Sequence, residues 1–206
     1  MAPSIIGRTK IAGVEKKAEG GFSLLEVVIS MAVLTIGLVS LLGVFGLAMA
    51  STQTSQQDMI AKQLANEALE SVITARNTSQ LTWDDIQNSG STNCSVTGAS
   101  SCGIFLVGAQ SIYNAGADGI FGTSDDSAAG LAVLREPGPD GIYGNTNDVL
   151  IPLTGYNRTT VFSALYDAQG NLVPTLRAVT ITIQYTTSQA RLQKSYTLNS
   201  YISEYQ

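Results

Sequence analysis

The stretch GGFSLLEVVISMAVLTIGLVSLLGVFGLAMA, residues 20–50, decides the architecture of the chain. From Phe22 to Ala50 it holds 29 residues, and Glu26 is the one charged side chain among them. A helix of that length reaches about 43 Å at ~1.5 Å per residue, more than the ~30 Å hydrocarbon core of a bilayer. The run therefore predicts a helix that can span a membrane.

Glu26 lies only about 6 Å along this helix from Phe22, which puts it near the membrane edge. The flank before the run favours a cytoplasmic location, because it carries a net charge of +2 from Arg8, Lys10, Lys16 and Lys17 against Glu15 and Glu19. One alternative is a secretory signal peptide, whose apolar region would be about 7 to 15 residues long. Another is a plain membrane anchor in which Glu26 snorkels to the interface.

The order Gly21, Phe22, Ser23, Leu24, Leu25, Glu26 resembles the type III signal of type IV pilins and pseudopilins. In that family a prepilin peptidase cuts after the glycine, the new N-terminal amine is usually methylated, and the apolar helix stays attached. The resemblance implies that residues 1–21 are a cytoplasmic leader that is removed. It also implies that Glu26 pairs with the Phe22 ammonium of a neighbouring subunit during assembly.

The later segments VLTIGLVSLLGVFGLAMA and AKQLANEALESVITARN resemble most closely the minor pilin branch called PilV and the minor pseudopilin called GspI. This implies a non-enzymatic minor pilin subunit of type IV pili, or alternatively a minor pseudopilin of a type II secretion system. The partners implied are the prepilin peptidase, other pilin or pseudopilin subunits and the inner-membrane assembly platform. The implied location is a single pass of the inner membrane with a cytoplasmic N-terminus and a periplasmic head, and then the pilus or pseudopilus.

The rest of the chain predicts an α+β fold. Apolar residues between Ile60 and Ile73 recur at spacings of three and four, so residues 51–77 read as an amphipathic continuation of the apolar helix 22–50. Alternating apolar and polar residues predict strands at 159–167, 176–187 and 191–202. We expect a long N-terminal transmembrane and filament helix packed on a C-terminal antiparallel β-sheet head, residues 78–206, with a variable loop region at 78–156.

Composition argues against several other classes of protein. Histidine is absent, and the two cysteines lack the spacing of a zinc site. Without residues 1–21, which hold four of the 11 basic and two of the 16 acidic side chains, the net charge is −7, so no nucleic-acid partner is expected. Two alternatives stay open: a membrane-anchored calcium-binding or adhesive module, and an anchored enzyme of unrecognised chemistry.

The two cysteines, Cys94 and Cys102, close a short loop in the segment CSVTGASSC. This segment lies in the part of the chain expected on the exported side of the membrane, where disulfides form. Two cysteines with no other partners to choose from are most simply paired with each other. Two free buried thiols are the alternative.

A repeat follows the cysteines: GADGIFGTSDD at residues 116–126 and GPDGIYGNTND at residues 138–148 share six of eleven positions. Such clusters of oxygen-bearing side chains suit calcium, and the candidate ligands are Asp118, Asp125, Asp126, Asp140 and Asp148. The first copy resembles the calcium loop of major pseudopilins, which implies Asp118, Asp125 and Asp126 as ligands. The alternative is a pair of tight turns with self-capping Asp and Asn side chains, whose apolar residues lie in the core: Ile120, Phe121, Ile142 and Tyr143.

Overall fold

The computed structural model of the chain describes residues 21, 23–92, 94, 101–187 and 192–205. Its elements are α1 Leu24–Asn77, β1 Gln110–Ser111, α2 Asp126–Ala129, β2 Val133–Glu136, β3 Val149–Pro152, β4 Tyr156–Tyr166, β5 Leu172–Thr186 and β6 Gln193–Ser203. A long helix followed by an antiparallel sheet confirms the predicted α+β class. The chain divides into two compact units, Met1–Leu47 and Ala48–Gln206, and α1 runs through the division.

The 54-residue helix α1 is, in the described part of the chain, the one helix that is long and apolar enough to cross a membrane. Side chains are exposed all round it from Ser23 to Met49, and such a helix needs lipid or packed neighbours around it. It ends where Ser79 turns to a positive φ of 58° and the amides of Gln80 and Leu81 both donate to the carbonyl of Ala75. These bonds satisfy a carbonyl of the last turn and stop the helix.

The main sheet has the strand order β1-β4-β5-β6, and each neighbouring pair is antiparallel. Asp167 closes the turn between β4 and β5, because its carboxylate accepts the amides of Gln169 and Asn171. Gly170 has a φ of 84° at this turn, a conformation that glycine adopts without strain. The three long strands correspond to the predicted ones; they begin two to four residues away from the predicted first residues and end one residue away from the predicted last ones.

The head core lies between one face of α1 and the inner face of the sheet. Small residues on α1, including Ala61, Ala65 and Ala68, let the helix backbone approach the strands closely. Opposite them, alternate residues of β5 point inward, and Ile181 and Ile183 are fully buried. A second cluster surrounds Val72 and Ala75 and contains Ile86, Phe105, Ile120 and Ile202.

The region 78–156 contains more structure than the sequence indicated. It supplies β1 at the edge of the main sheet, the one-turn helix α2, and a separate antiparallel ribbon formed by β2 and β3. The apolar side chains of the ribbon are largely exposed, with Val149 and Leu150 at 51% and 52%. These elements are too short for the alternation of a strand, with its period of two, or the 3.6-residue period of a helix to be recognised in the sequence.

Asp58 links α1 to the sheet. Its carboxylate accepts a hydrogen bond from the hydroxyl of Tyr185 and lies 3.3 Å from the ammonium of Lys194. The hydrogen bond from Tyr185, with a further contribution from Lys194, lowers the pKa of Asp58. The helix is therefore held to β5 and β6 by a charged group that stays ionised to lower pH than a free aspartate.

Candidate functional site

The N-terminal motif is found at the start of α1. Gly21 lies outside the helix, and the carbonyl of Ser23 accepts the amides of Glu26 at 2.9 Å and Val27 at 3.2 Å. Glu26 is thus in the first turn, where the helix dipole favours a negative charge. Its side chain is exposed, so it is accessible to a neighbouring molecule. Phe22, the predicted mature N-terminus, lies outside the described residues.

Cys94 and Cys102 form a disulfide with a Cα–Cα distance of 5.8 Å. Beside the disulfide, Ser91 and Cys102 form an isolated antiparallel bridge, in which the amide of Cys102 donates to the carbonyl of Ser91 at 2.9 Å. Gly103 follows with a φ of 86°, and a Cβ there would lie 2.4 Å from the carbonyl oxygen of Asn88. Two residues after Gly103, Phe105 is fully buried. The centre of its ring lies 4.7 Å from that of the Phe162 ring.

The first acidic loop, residues 116–126, wraps backbone amides around its carboxylates. Asp126 accepts the amides of Gly122 at 2.6 Å and Gly116 at 3.1 Å, and Asp118 accepts the amide of Ile120 at 2.8 Å. Asp125 accepts the hydroxyl of Thr123 at 2.6 Å. The loop therefore holds Asp118 and Asp126 through its own backbone amides, and Asp125 through the hydroxyl of Thr123.

Asp118, Asp125 and Asp126 each bring an oxygen within 4.8 Å of those of the other two. Burial raises the pKa of Asp126, which is 4% exposed, although amides and Arg158 act in the opposite direction. The hydrogen bond from Thr123 lowers the pKa of Asp125. Three acidic side chains thus meet at one point, and three hard oxygen donors of this kind suit a divalent cation.

The second acidic loop, residues 138–148, repeats this local structure. The amide of Ile142 donates to Asp140 at 3.1 Å, and that of Gly144 donates to Asp148 at 2.7 Å. The glycines at equivalent positions share their conformation, with φ values of 72° and 70° at Gly119 and Gly141. The sequence repeat is therefore also a repeat of backbone structure.

The surroundings of the two loops differ. In the first loop Ile120 is 1% exposed and Phe121 packs against the core, whereas in the second loop Ile142 and Tyr143 are 61% and 66% exposed. The alternative that put all four residues in the core is therefore wrong for the second loop. The reason is that the second loop joins β2 to β3 at the tip of the ribbon, away from the core clusters.

Arg158 is a site residue that the sequence analysis missed. It is 2% exposed, it lies 3.6 Å from Asp126, and its guanidinium is 5.0 Å from the centre of the Phe121 ring. In the second loop Arg135 of β2 pairs with Asp148, at 3.3 Å, but Arg135 is half exposed. In the structure Arg158 alternates with Tyr156 and Thr160 on the inward face of β4, where a charge needs a partner; the predicted strand began at residue 159 and so did not include it.

Comparison with known proteins bears on the N-terminal segment. Residues 16–42 match the model of the prokaryotic N-terminal methylation motif, and this range includes Gly21, Phe22 and Glu26. No curated protein and no solved structure matches the chain. Proteins with this motif are structural subunits rather than enzymes. Together with the long apolar helix and the antiparallel sheet, the motif supports assignment of the chain to the type IV pilin and pseudopilin superfamily.

Proposed function

We propose that the chain is a minor pilin subunit that contributes to the assembly or function of type IV pili. The observation that carries the proposal is the exposed carboxylate of Glu26 in the first turn of a helix that is otherwise apolar up to Ala50. In a filament of packed helices the Glu26 carboxylate would be buried, and a buried charge is tolerated when a partner of opposite sign compensates it. The ammonium of a processed neighbour supplies that partner, and the pair sets the axial register of an added subunit.

In this proposal the prepilin peptidase removes residues 1–21 on the cytoplasmic side, and the head lies in the periplasm until the assembly platform lifts the subunit out of the membrane. Minor status rests on the resemblance of the helix to minor branches. A minor pseudopilin of a type II secretion system is the second candidate, because it needs the same helix and the same charge pair. Loss of surface pili on deletion favours the first candidate, and loss of secreted enzymes favours the second.

The test replaces Glu26 in the full-length chain. Glu26→Ala and Glu26→Gln are expected to leave leader cleavage and membrane insertion intact and to lower the amount of the chain in sheared filaments. Glu136→Ala is the matched control, because Glu136 is an exposed glutamate on β2. Incorporation of Glu26→Ala at the wild-type level would refute the charge-pair role, and a mature chain that starts after Ala50 would refute the pilin assignment itself.

A calcium ion at the first acidic loop is a further part of the proposal. Ligands about 2.4 Å from one calcium ion lie at most about 4.8 Å from each other, and the oxygens of Asp118, Asp125 and Asp126 meet that limit. Arg158 compensates one of the three charges, so an ion would compensate the other two. The second loop has two carboxylates and no such group of three among the described residues, so calcium binding by Asp140 and Asp148 stays a prediction.

Thermal unfolding of the full chain in detergent micelles, with calcium or with a chelator, tests the ion. Calcium is expected to raise the midpoint of the wild type, because a ligand that binds the folded state stabilises it. Asp118→Asn combined with Asp125→Asn should remove the rise and leave the Arg158–Asp126 pair in place. Glu136→Gln is the control, because Glu136 is exposed and lies outside both acidic loops, and it should retain the rise. No rise in the wild type, or a rise that the double substitution leaves undiminished, would refute this site.

A further inference from the structure

The outer face of the main sheet, opposite the side that packs on α1, carries no charged side chain. It consists of four rows of three residues, one residue each from β4, β5 and β6, in the observed register. The rows are Asn157–Gln184–Ser195, Thr159–Thr182–Thr197, Val161–Thr180–Asn199 and Ser163–Ala178–Tyr201. We call these twelve residues the outer face. None of them is buried.

Hydroxyl and amide groups dominate the outer face and are ordered by contacts across the strands. Thr180 donates to the side-chain oxygen of Asn199 at 2.9 Å, and the hydroxyls of Thr182 and Thr197 lie 3.2 Å apart. At one end the ring of Tyr201 is 69% exposed. With strands ~4.8 Å apart and alternate residues ~6.8 Å apart, the face measures about 10 by 20 Å.

This composition excludes several kinds of partner. A nucleic acid or an anionic lipid surface needs basic side chains, and the outer face has none. A second sheet packed face to face needs an apolar layer, and only Val161, Ala178 and Tyr201 contribute apolar surface. Charged residues make up 13% of the whole chain and none of the outer face, so no ion pair can hold a partner there.

We propose that the outer face binds a neutral polysaccharide. The ligand is an uncharged chain that carries many hydroxyls, and ordered threonine, serine, asparagine and glutamine side chains can both donate to and accept from it. The tyrosine at the end of the face adds an aromatic surface that covers apolar ring carbons and a hydroxyl that stays hydrogen-bonded. This inference concerns the head and does not depend on the proposed function, since it would hold for any protein that presents this sheet.

Cosedimentation tests the proposal with the full chain in neutral detergent micelles and two insoluble neutral polysaccharides, amorphous cellulose and colloidal chitin. We expect the wild-type chain to sediment with at least one of them, in a saturable manner and with little dependence on salt, because no charge pair is formed. Tyr201→Ala is expected to weaken the binding by about fivefold or more, which is the size of effect expected for an aromatic anchor. Thr182→Lys, in the middle of the face, should weaken it as well.

Tyr143→Ala is the matched control, because Tyr143 is 66% exposed and lies on the second acidic loop rather than on the outer face. It should bind as the wild type does. Circular dichroism of each variant establishes that the head is folded. The proposal is overturned if the wild type sediments with neither polysaccharide, if Tyr143→Ala weakens the binding as much as Tyr201→Ala, or if sedimentation occurs without polysaccharide through self-association.

Discussion

The two acidic loops offer a matched pair of substitutions, Ile120→Ala and Ile142→Ala. Both isoleucines follow an Asp-Gly turn with the same backbone hydrogen bond, but Ile120 is 1% exposed and Ile142 is 61% exposed. Truncation of a buried isoleucine costs about 2 to 5 kcal/mol, because transfer free energy is lost and a cavity remains. Truncation of an exposed one changes stability by about 0.5 kcal/mol or less.

The measurement is thermal or denaturant unfolding of the full chain in mild detergent, followed by the fluorescence of Trp83, the single tryptophan. For a unit of this size a loss of about 3 kcal/mol lowers the midpoint by roughly 6 to 12 °C. We expect a shift of that order for Ile120→Ala and a shift near zero for Ile142→Ala. Equal shifts would refute the reasoning, since they would mean that both loops are buried or that neither is.

Three further predictions follow from the described contacts. The hydrogen bond from Tyr185 lowers the pKa of Asp58 in the folded chain. The ionised carboxylate therefore contributes stability at pH values above the pKa of an aspartate in the unfolded chain, about 3.9. This contribution is lost as the pH falls through the lower pKa of the folded state. Acid titration of unfolding should therefore show a weaker loss of stability for Asp58→Asn than for the wild type, and parallel curves would contradict this. Replacement of both Cys94 and Cys102 by serine should lower the free energy of unfolding by about 2 to 3 kcal/mol, measured against the wild type with and without reductant. A wild-type chain that is insensitive to reductant and has two titratable thiols would argue against the bridge. Gly21→Ala should leave residues 1–21 attached in the membrane fraction, as judged by intact mass, and normal processing of this variant would contradict the predicted cleavage position.

The parts of the fold that were predictable are those with long, regular patterns. The apolar run and its amphipathic continuation indicated α1 to within two residues at its described ends, and the alternation in β5 indicated a strand with one buried face. The ribbon of β2 and β3 could not be recognised, because its strands have four residues each and only Leu134 among them is partly buried. Without one buried face there is no alternation to detect.

The candidate sites show a similar limit. Identical residues in the two acidic loops indicated the same turn structure, which the backbone adopts in both copies. The sequence could not tell which copy is buried, because Ile120 and Ile142 both follow Asp-Gly and precede an aromatic residue, and they differ in what packs against them. Arg158 was missed for a related reason: its partner Asp126 is 32 positions away, and such pairing is a property of the fold.

The exposed tip of the ribbon has a practical consequence for labelling. The second acidic loop lies outside both core clusters, it is anchored by its own amide-to-carboxylate bonds, and Tyr143 and Gly144 are exposed. Such loop tips tolerate inserted residues better than most positions in a folded domain. A short epitope placed between Tyr143 and Gly144 should therefore leave the head intact, and antibody-coated gold beads would then show whether the proposed subunit is present in filaments and where along them it lies.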